Sequence, residues 1–132
     1  VDHFKRVNDK FGHACGDQVL REIAKRLQEQ LRPSDLLARY GGEEFAALIT
    51  QIDYETVLRI AERLRKSVQC KPVLLGSIPL EMSISIGIAA LRSQEQSMEN
   101  ILNDADYAMY QAKQQGRNCL VFFEEGNPSS TS

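Results

Sequence analysis

Between residues 17 and 32 the apolar side chains fall at Leu20, Ile23, Ala24, Leu27 and Leu31. This i, i+3, i+4 spacing lines one face of a helix, and Pro33 with Ser34 ends it. The rhythm returns over 53–69 (Val57, Ile60, Ala61, Leu64, Val68) and over 97–114 (Met98, Ile101, Leu102, Ala105, Met109, Ala112). Gly116 is placed to cap the last of these helices. A short helical stretch is expected from His3 onward, with Val1-Asp2 read as the end of a strand whose start is missing. Two short apolar segments, 36–40 and 44–49, flank Gly41-Gly42. A Gly-Gly pair between strand-like runs signals a hairpin, because tight turns need the positive φ that glycine adopts freely. The Ile- and Ser-rich run 82–91 alternates and predicts a strand, and 119–123 predicts a closing one. The tail 126–132 (GNPSSTS) is expected to be disordered. Helix, helix, hairpin, helix, strand, helix, strand is the order of a mixed α/β (α+β) domain over residues 1–125, a central mixed or antiparallel sheet wrapped by helices.

Composition narrows the class without naming a function. At 132 residues the chain suits one domain, large enough to fold without a disulfide or structural zinc. Sixteen Lys and Arg against 18 Asp and Glu leave a net charge of −2, which gives no electrostatic case for binding DNA or RNA. Cys15, Cys70 and Cys119 are odd in number and widely spaced, so they read as reduced thiols. No apolar run approaches the roughly 20 residues of a membrane span. The chain starts at Val1 without a signal-peptide pattern and reads as a piece of a longer protein, whose membrane attachment stays open.

Three clusters could carry chemistry. Gly41-Gly42-Glu43-Glu44-Phe45 puts backbone free of Cβ atoms next to two carboxylates. One of these could hold a divalent metal while a nucleotide approaches the glycines, and a hairpin with two solvated acids explains the same residues. Gly12-His13-Ala14-Cys15-Gly16-Asp17 follows Asn8 by one helical turn. Asp17 would serve equally as the cap of the next helix or, with Asn8, as a match for a guanine edge, since a carboxylate accepts and an amide both donates and accepts. Lys113 and Arg117 end a helix, where they complement its dipole or, with Lys5, hold a triphosphate.

In this order the clusters resemble the GGDEF domain of diguanylate cyclases, in its GGEEF variant. The resemblance runs from Val1-Asp2-His3-Phe4-Lys5 through Asn8-Asp9, Phe11-Gly12-His13, Gly16-Asp17 and Arg39 to Phe45. It continues through Ser85-Ile86-Gly87 and Ala105-Asp106 to Tyr110, Lys113, Gly116, Arg117 and Asn118. It implies a fold like the palm of nucleotide cyclases and polymerases, and the condensation of two GTP into cyclic di-GMP and two pyrophosphates across a homodimer. By motif position it makes Glu43 a ligand of Mg²⁺ (or Mn²⁺) and the proton acceptor, with Glu44 in support and the carbonyl of Val1 on the metal. Lys5, Lys113 and Arg117 would stabilise phosphate charge; Asn8, His13, Asp17, Gly41 and Gly42 would bind substrate. Arg32 and Asp35 of Arg32-Pro33-Ser34-Asp35, joined by Arg59 and Arg63, match the family's product-inhibition site, where a guanidinium suits phosphate and a carboxylate a guanine edge; a helix end followed by a capped turn explains the same residues.

Family members carry a metal-binding Asp just before the position of Val1, so a chain beginning at Val1 is expected to hold metal poorly and to be inactive or nearly so. An upstream sensor or receiver domain and a cytoplasmic active site, on a parent that could be membrane-anchored, complete the expectation. The alternative is a non-catalytic domain that acts as a receptor for cyclic di-GMP or GTP.

Overall fold

The computed structural model describes residues 1–49, 53–90 and 96–123, so the expected tail at 126–132 lies outside the described residues. The chain divides into two compact units, Val1–Ile84 and Ser85–Ser132.

In the first unit, α1 (Phe4–Phe11) and α2 (His13–Gln30) are separated by Gly12, whose φ of +90° breaks the helix. Helix α2 therefore starts four residues before the expected Asp17, and it buries Val19, Leu20, Ile23 and Leu27 as the apolar spacing requires. Helix α3 (Tyr54–Gln69) packs against it through Ile60, Ala61, Leu64 and Val68. Asp53 caps α3, its side chain accepting from the Thr56 N–H at 2.8 Å. The charged Arg26 shares the buried stripe. Its guanidinium donates to the carbonyls of Val68 (2.9 Å), Lys71 (2.8 Å) and Pro72 (2.9 Å) and to Glu22 Oε2 (2.9 Å), which ties the end of α3 to α2.

Strands β1 (Leu36–Arg39) and β2 (Phe45–Leu48) form the expected antiparallel hairpin, with Leu36 opposite Leu48 and Arg39 opposite Phe45. A second hairpin, β3 (Val73–Leu75) with β4 (Ile78–Leu80), was not expected. Val73 and Leu75 are buried while Leu74 faces out, a single alternation too short to register as a periodic signal.

The second unit is a βαβ arrangement. Strand β5 (Ile86–Ile88) leads to α4 (Met98–Gln114), and β6 (Leu120–Phe122) returns parallel to β5. Ser97 caps α4 by accepting from the Asn100 N–H at 3.1 Å. Gly87 lets β5 press onto the helix, since a Cβ there would sit 2.0 Å from the Ala105 carbonyl oxygen and 2.3 Å from the Met109 nitrogen. The expected strand 82–91 shrinks to these three residues, its first part being buried but irregular; Leu91 lies outside the described residues. The mixed α/β class holds, and among the described residues the strands pair as three two-stranded ladders.

Candidate active site

The β1–β2 hairpin closes with the Tyr40 N–H donating to the Glu44 carbonyl at 2.7 Å. This leaves Gly41, Gly42 and Glu43 as a three-residue tip, wider than a two-residue Gly-Gly turn. Gly41 sits at φ +82°, where a side chain would be strained, and nothing lies within 4 Å of a Cβ built on Gly42. The tip is held from both sides. Arg39 donates from Nε to the Gly42 carbonyl at 2.9 Å, with Nη2 on the same oxygen. The Val1 nitrogen donates to the Glu43 carbonyl at 3.2 Å. Glu43 and Glu44 are half-buried, and Glu44 Oε1 lies 3.8 Å from the Cβ position of Gly41.

Asn8 is half-buried on α1, one turn after the exposed Lys5. Its Oδ1 is buried and has no hydrogen-bond partner. Gly16 makes room for it: a Cβ at Gly16 would fall 2.0 Å from Asn8 Oδ1 and 3.0 Å from Phe4 Cζ. An orphaned buried acceptor is costly to the fold. His13 is the exposed first residue of α2. The cap reading of Asp17 does not survive, because Gly12 holds the N-cap position and Asp17 lies inside the helix, exposed. Asp17 instead lines a groove of about 580 Å³ between α2 and the hairpin, together with Arg21, Lys25, Arg39 and Phe45.

Two functional candidates were missed in the sequence. Arg39 pins the tip, and its place before Tyr40-Gly41 was the available signal. Asp2 is buried, its N–H donates to the Ser83 carbonyl (2.9 Å) and its Oδ2 accepts from the Ser83 hydroxyl at 2.7 Å. A partner 81 residues away leaves no local signal.

The oxygen chemistry of Glu43 and of the adjacent Val1 backbone suits a hard cation. Among the described residues no group of three or more His, Cys, Asp or Glu could hold a metal by itself.

A second cluster lies where α2 meets β1. Asp35 accepts from Arg32 at both carboxylate oxygens: Oδ1 from Nη2 (2.9 Å) and Nε (3.2 Å), Oδ2 from the Arg32 backbone N–H (2.8 Å) and Nε (3.1 Å). The Arg32 hydrogen bonds hold the Asp35 carboxyl below its usual range, and the Arg63 charge acts in the same direction. Arg63 donates to the Gln30 carbonyl at 2.7 Å, so α3 brings it to this end of α2. The exposed Arg59 acts instead on Asp53. Lys113 and Arg117 belong to the second unit, at the C-terminal end of α4. Gly116, Arg117 and Asn118 all have positive φ (111°, 66° and 51°), and the Arg117 N–H returns to the Ala112 carbonyl at 3.0 Å. Left-handed backbone at two residues other than glycine is a local strain. Cys15, Cys70 and Cys119 are free thiols, and no helix among the described residues is long and apolar enough to cross a membrane.

With this geometry in view, a family model described as "Diguanylate cyclase, GGDEF domain" matches residues 1–119. The chain is similar to Diguanylate cyclase A of Treponema denticola, 38% identical over 130 residues, covering 98% of this chain and 35% of that protein. It is also similar to the Response regulator PleD of Caulobacter vibrioides, 46% identical over 123 residues, covering 92% of this chain and 27% of that one. Among solved structures it resembles the GGDEF-only form of PA1120 (TpbB or YfiN) from Pseudomonas aeruginosa. There the TM-score is 0.90 and the identity 41%, over 98% of this chain and 76% of the other. The chain thus spans about a third or less of the curated relatives it matches.

Proposed function

Since this chain belongs to the GGDEF family of diguanylate cyclase domains, we propose that, within its parent protein, it condenses two GTP molecules into cyclic di-GMP and two pyrophosphates, one GTP being held by each of two copies. The observation that carries the reading is the tip Gly41-Gly42-Glu43, open at Gly42 and fixed at the Gly42 and Glu43 carbonyls by Arg39 and Val1. An open glycine backbone lets a nucleotide lie close, and a backbone fixed where the Glu43 side chain departs suits the positioning demand of phosphoryl transfer.

Each 3′-hydroxyl attacks the α-phosphorus of the GTP on the other copy. A P–O bond forms to the 3′-oxygen, the bond from the α-phosphorus to the bridging oxygen breaks, and pyrophosphate departs. Glu43 takes the hydroxyl proton and Glu44 supports it. Asn8 and Asp17 read the guanine, the first with an amide already lacking an internal partner, the second with a carboxylate that no helix cap consumes; His13 stands at the same helix start. Lys5 offsets phosphate charge. Glu43 and the Val1 carbonyl would hold Mg²⁺ or Mn²⁺, which supplies charge neutralisation and a more acidic 3′-hydroxyl. GTP as substrate makes the site cytoplasmic, and a sensor or receiver domain elsewhere in the parent brings two copies together.

Arg32, Asp35 and Arg63 form the product-inhibition site, with Arg59 on the same helix. That cluster also supports a second reading, a receptor for cyclic di-GMP without catalysis, because it is built independently of the tip. A Glu43→Ala variant separates the two. Cyclic di-GMP synthesis from GTP should fall at least about a hundredfold, while cyclic di-GMP binding persists. Binding without any synthesis in the unmodified protein would favour the receptor.

A further inference from the structure

The two residues ahead of α1 are held in two directions. The Val1 nitrogen donates to the Glu43 carbonyl at 3.2 Å, while the Asp2 N–H donates to the Ser83 carbonyl at 2.9 Å. Asp2 Oδ2 also accepts from the Ser83 hydroxyl at 2.7 Å, so the two residues are joined through backbone and side chain alike. Asp2 is only 3% exposed. Burying a carboxylate is costly unless its partners are well placed, and a neutral residue would fill a plain core position at less cost. From Asp2 the chain turns through His3, at the left-handed φ of +57°, into α1. His3 gives α1 no side-chain cap. Phe4 and Val7 bury one side of the helix, but apolar packing is non-directional, so the first turn, with Lys5 on it, is aimed by the hydrogen-bonded residues before it. Asn8, one turn further, has an anchor of its own in its fit over Gly16 of α2.

We propose that Asp2 is a positioning residue: clamped to Ser83, it sets Val1 and the first turn of α1, and through them the place of Lys5 relative to Glu43, without itself touching GTP or a metal. This rests on the reading of Glu43 as proton acceptor and Lys5 as the group that offsets phosphate charge. The Asp2 carboxylate serves the clamp as a hydrogen-bond acceptor, a task that an asparagine carbonyl can perform and an alanine cannot. Asn8 is lodged against α2 and Asp17 lies within it, so loss of the clamp falls on the chemical step and not on the capture of GTP.

The test uses the full-length parent protein. It reads kcat and KM for cyclic di-GMP synthesis from GTP with Mg²⁺, and the calorimetric affinity for an unreactive GTP analogue whose α,β-bridging oxygen is a methylene. Asp2→Ala and Ser83→Ala should each lower kcat about tenfold, the worth of one well-placed hydrogen bond, and leave KM and analogue affinity within about twofold. The double variant should be no worse than Asp2→Ala alone. Asp2→Asn should stay within about threefold of the unmodified kcat, because the acceptor is kept. Ser83→Ala removes one hydroxyl and keeps the backbone bond, so it and Asp2→Asn decide the matter should Asp2→Ala fail to fold. The proposal is overturned if Asp2→Asn loses as much as Asp2→Ala, which would mark a carboxylate on the cation or the phosphates. It is equally overturned if Ser83→Ala keeps full kcat, or if the loss appears in affinity. An unmodified protein that makes no cyclic di-GMP would instead remove the reading of Glu43 and Lys5 on which the proposal stands.

Discussion

Asn8 keeps a buried carboxamide oxygen without a hydrogen bond only because Gly16 has no Cβ to fill the same space. Gly16→Ala should push that amide aside while leaving α2 otherwise helical, since alanine is the better helix former. The expected result is GTP binding weakened about tenfold, the cost of one well-placed hydrogen bond, with the melting temperature little changed. Equilibrium titration with GTP beside a thermal melt checks both. At this scale the sequence was legible where a motif fixed residue type, as at Gly41 in the hairpin tip. It was not legible where the partner lay far along the chain. Nothing local announces that Asp2 is buried against Ser83, or that Arg26 gathers carbonyls from the end of α3.

Whole elements followed the hydrophobic periodicity closely. The helices 53–69 and 97–114 appear within a residue of their expected limits, each preceded by a side-chain cap. The start of α2 was misplaced because Asp17 looked like a cap while Gly12 makes the actual break. The β3–β4 hairpin went unseen because three-residue strands carry too little pattern. The Asp53 cap has a consequence in acid. Its carboxyl is held below the usual value by the hydrogen bond from Thr56. The stability it gives is therefore complete above the ordinary aspartate range, about pH 4, and is lost as pH falls through the depressed folded value. Asn caps as well but does not titrate, so the melting temperature of Asp53→Asn should fall less steeply with acid than that of the parent. Equal slopes would remove Asp53 from the account. In the second unit, Gly87→Ala meets backbone atoms of α4 with no flexible side chain to yield. It should cost at least about 2 kcal/mol, read by denaturant unfolding.

For the molecule as a whole, family membership and the mixed α/β class were within reach of the sequence because the motifs recur in order across nearly its full length. The pairing of strands into three small ladders was not, since hydrogen-bond partners between separate segments are set by tertiary packing. The catalytic account makes one demand that no single copy can meet: each GTP is attacked by a hydroxyl held on another domain. The measurement that reaches this most directly is product identification by mass spectrometry, using the full-length parent protein with GTP and Mg²⁺ over a range of protein concentrations. The account predicts cyclic di-GMP with two pyrophosphates per product, a rate per molecule that rises with concentration until the dimer saturates, and loss of product in Glu43→Ala. A folded protein that binds GTP at every concentration yet forms no cyclic di-GMP would contradict it.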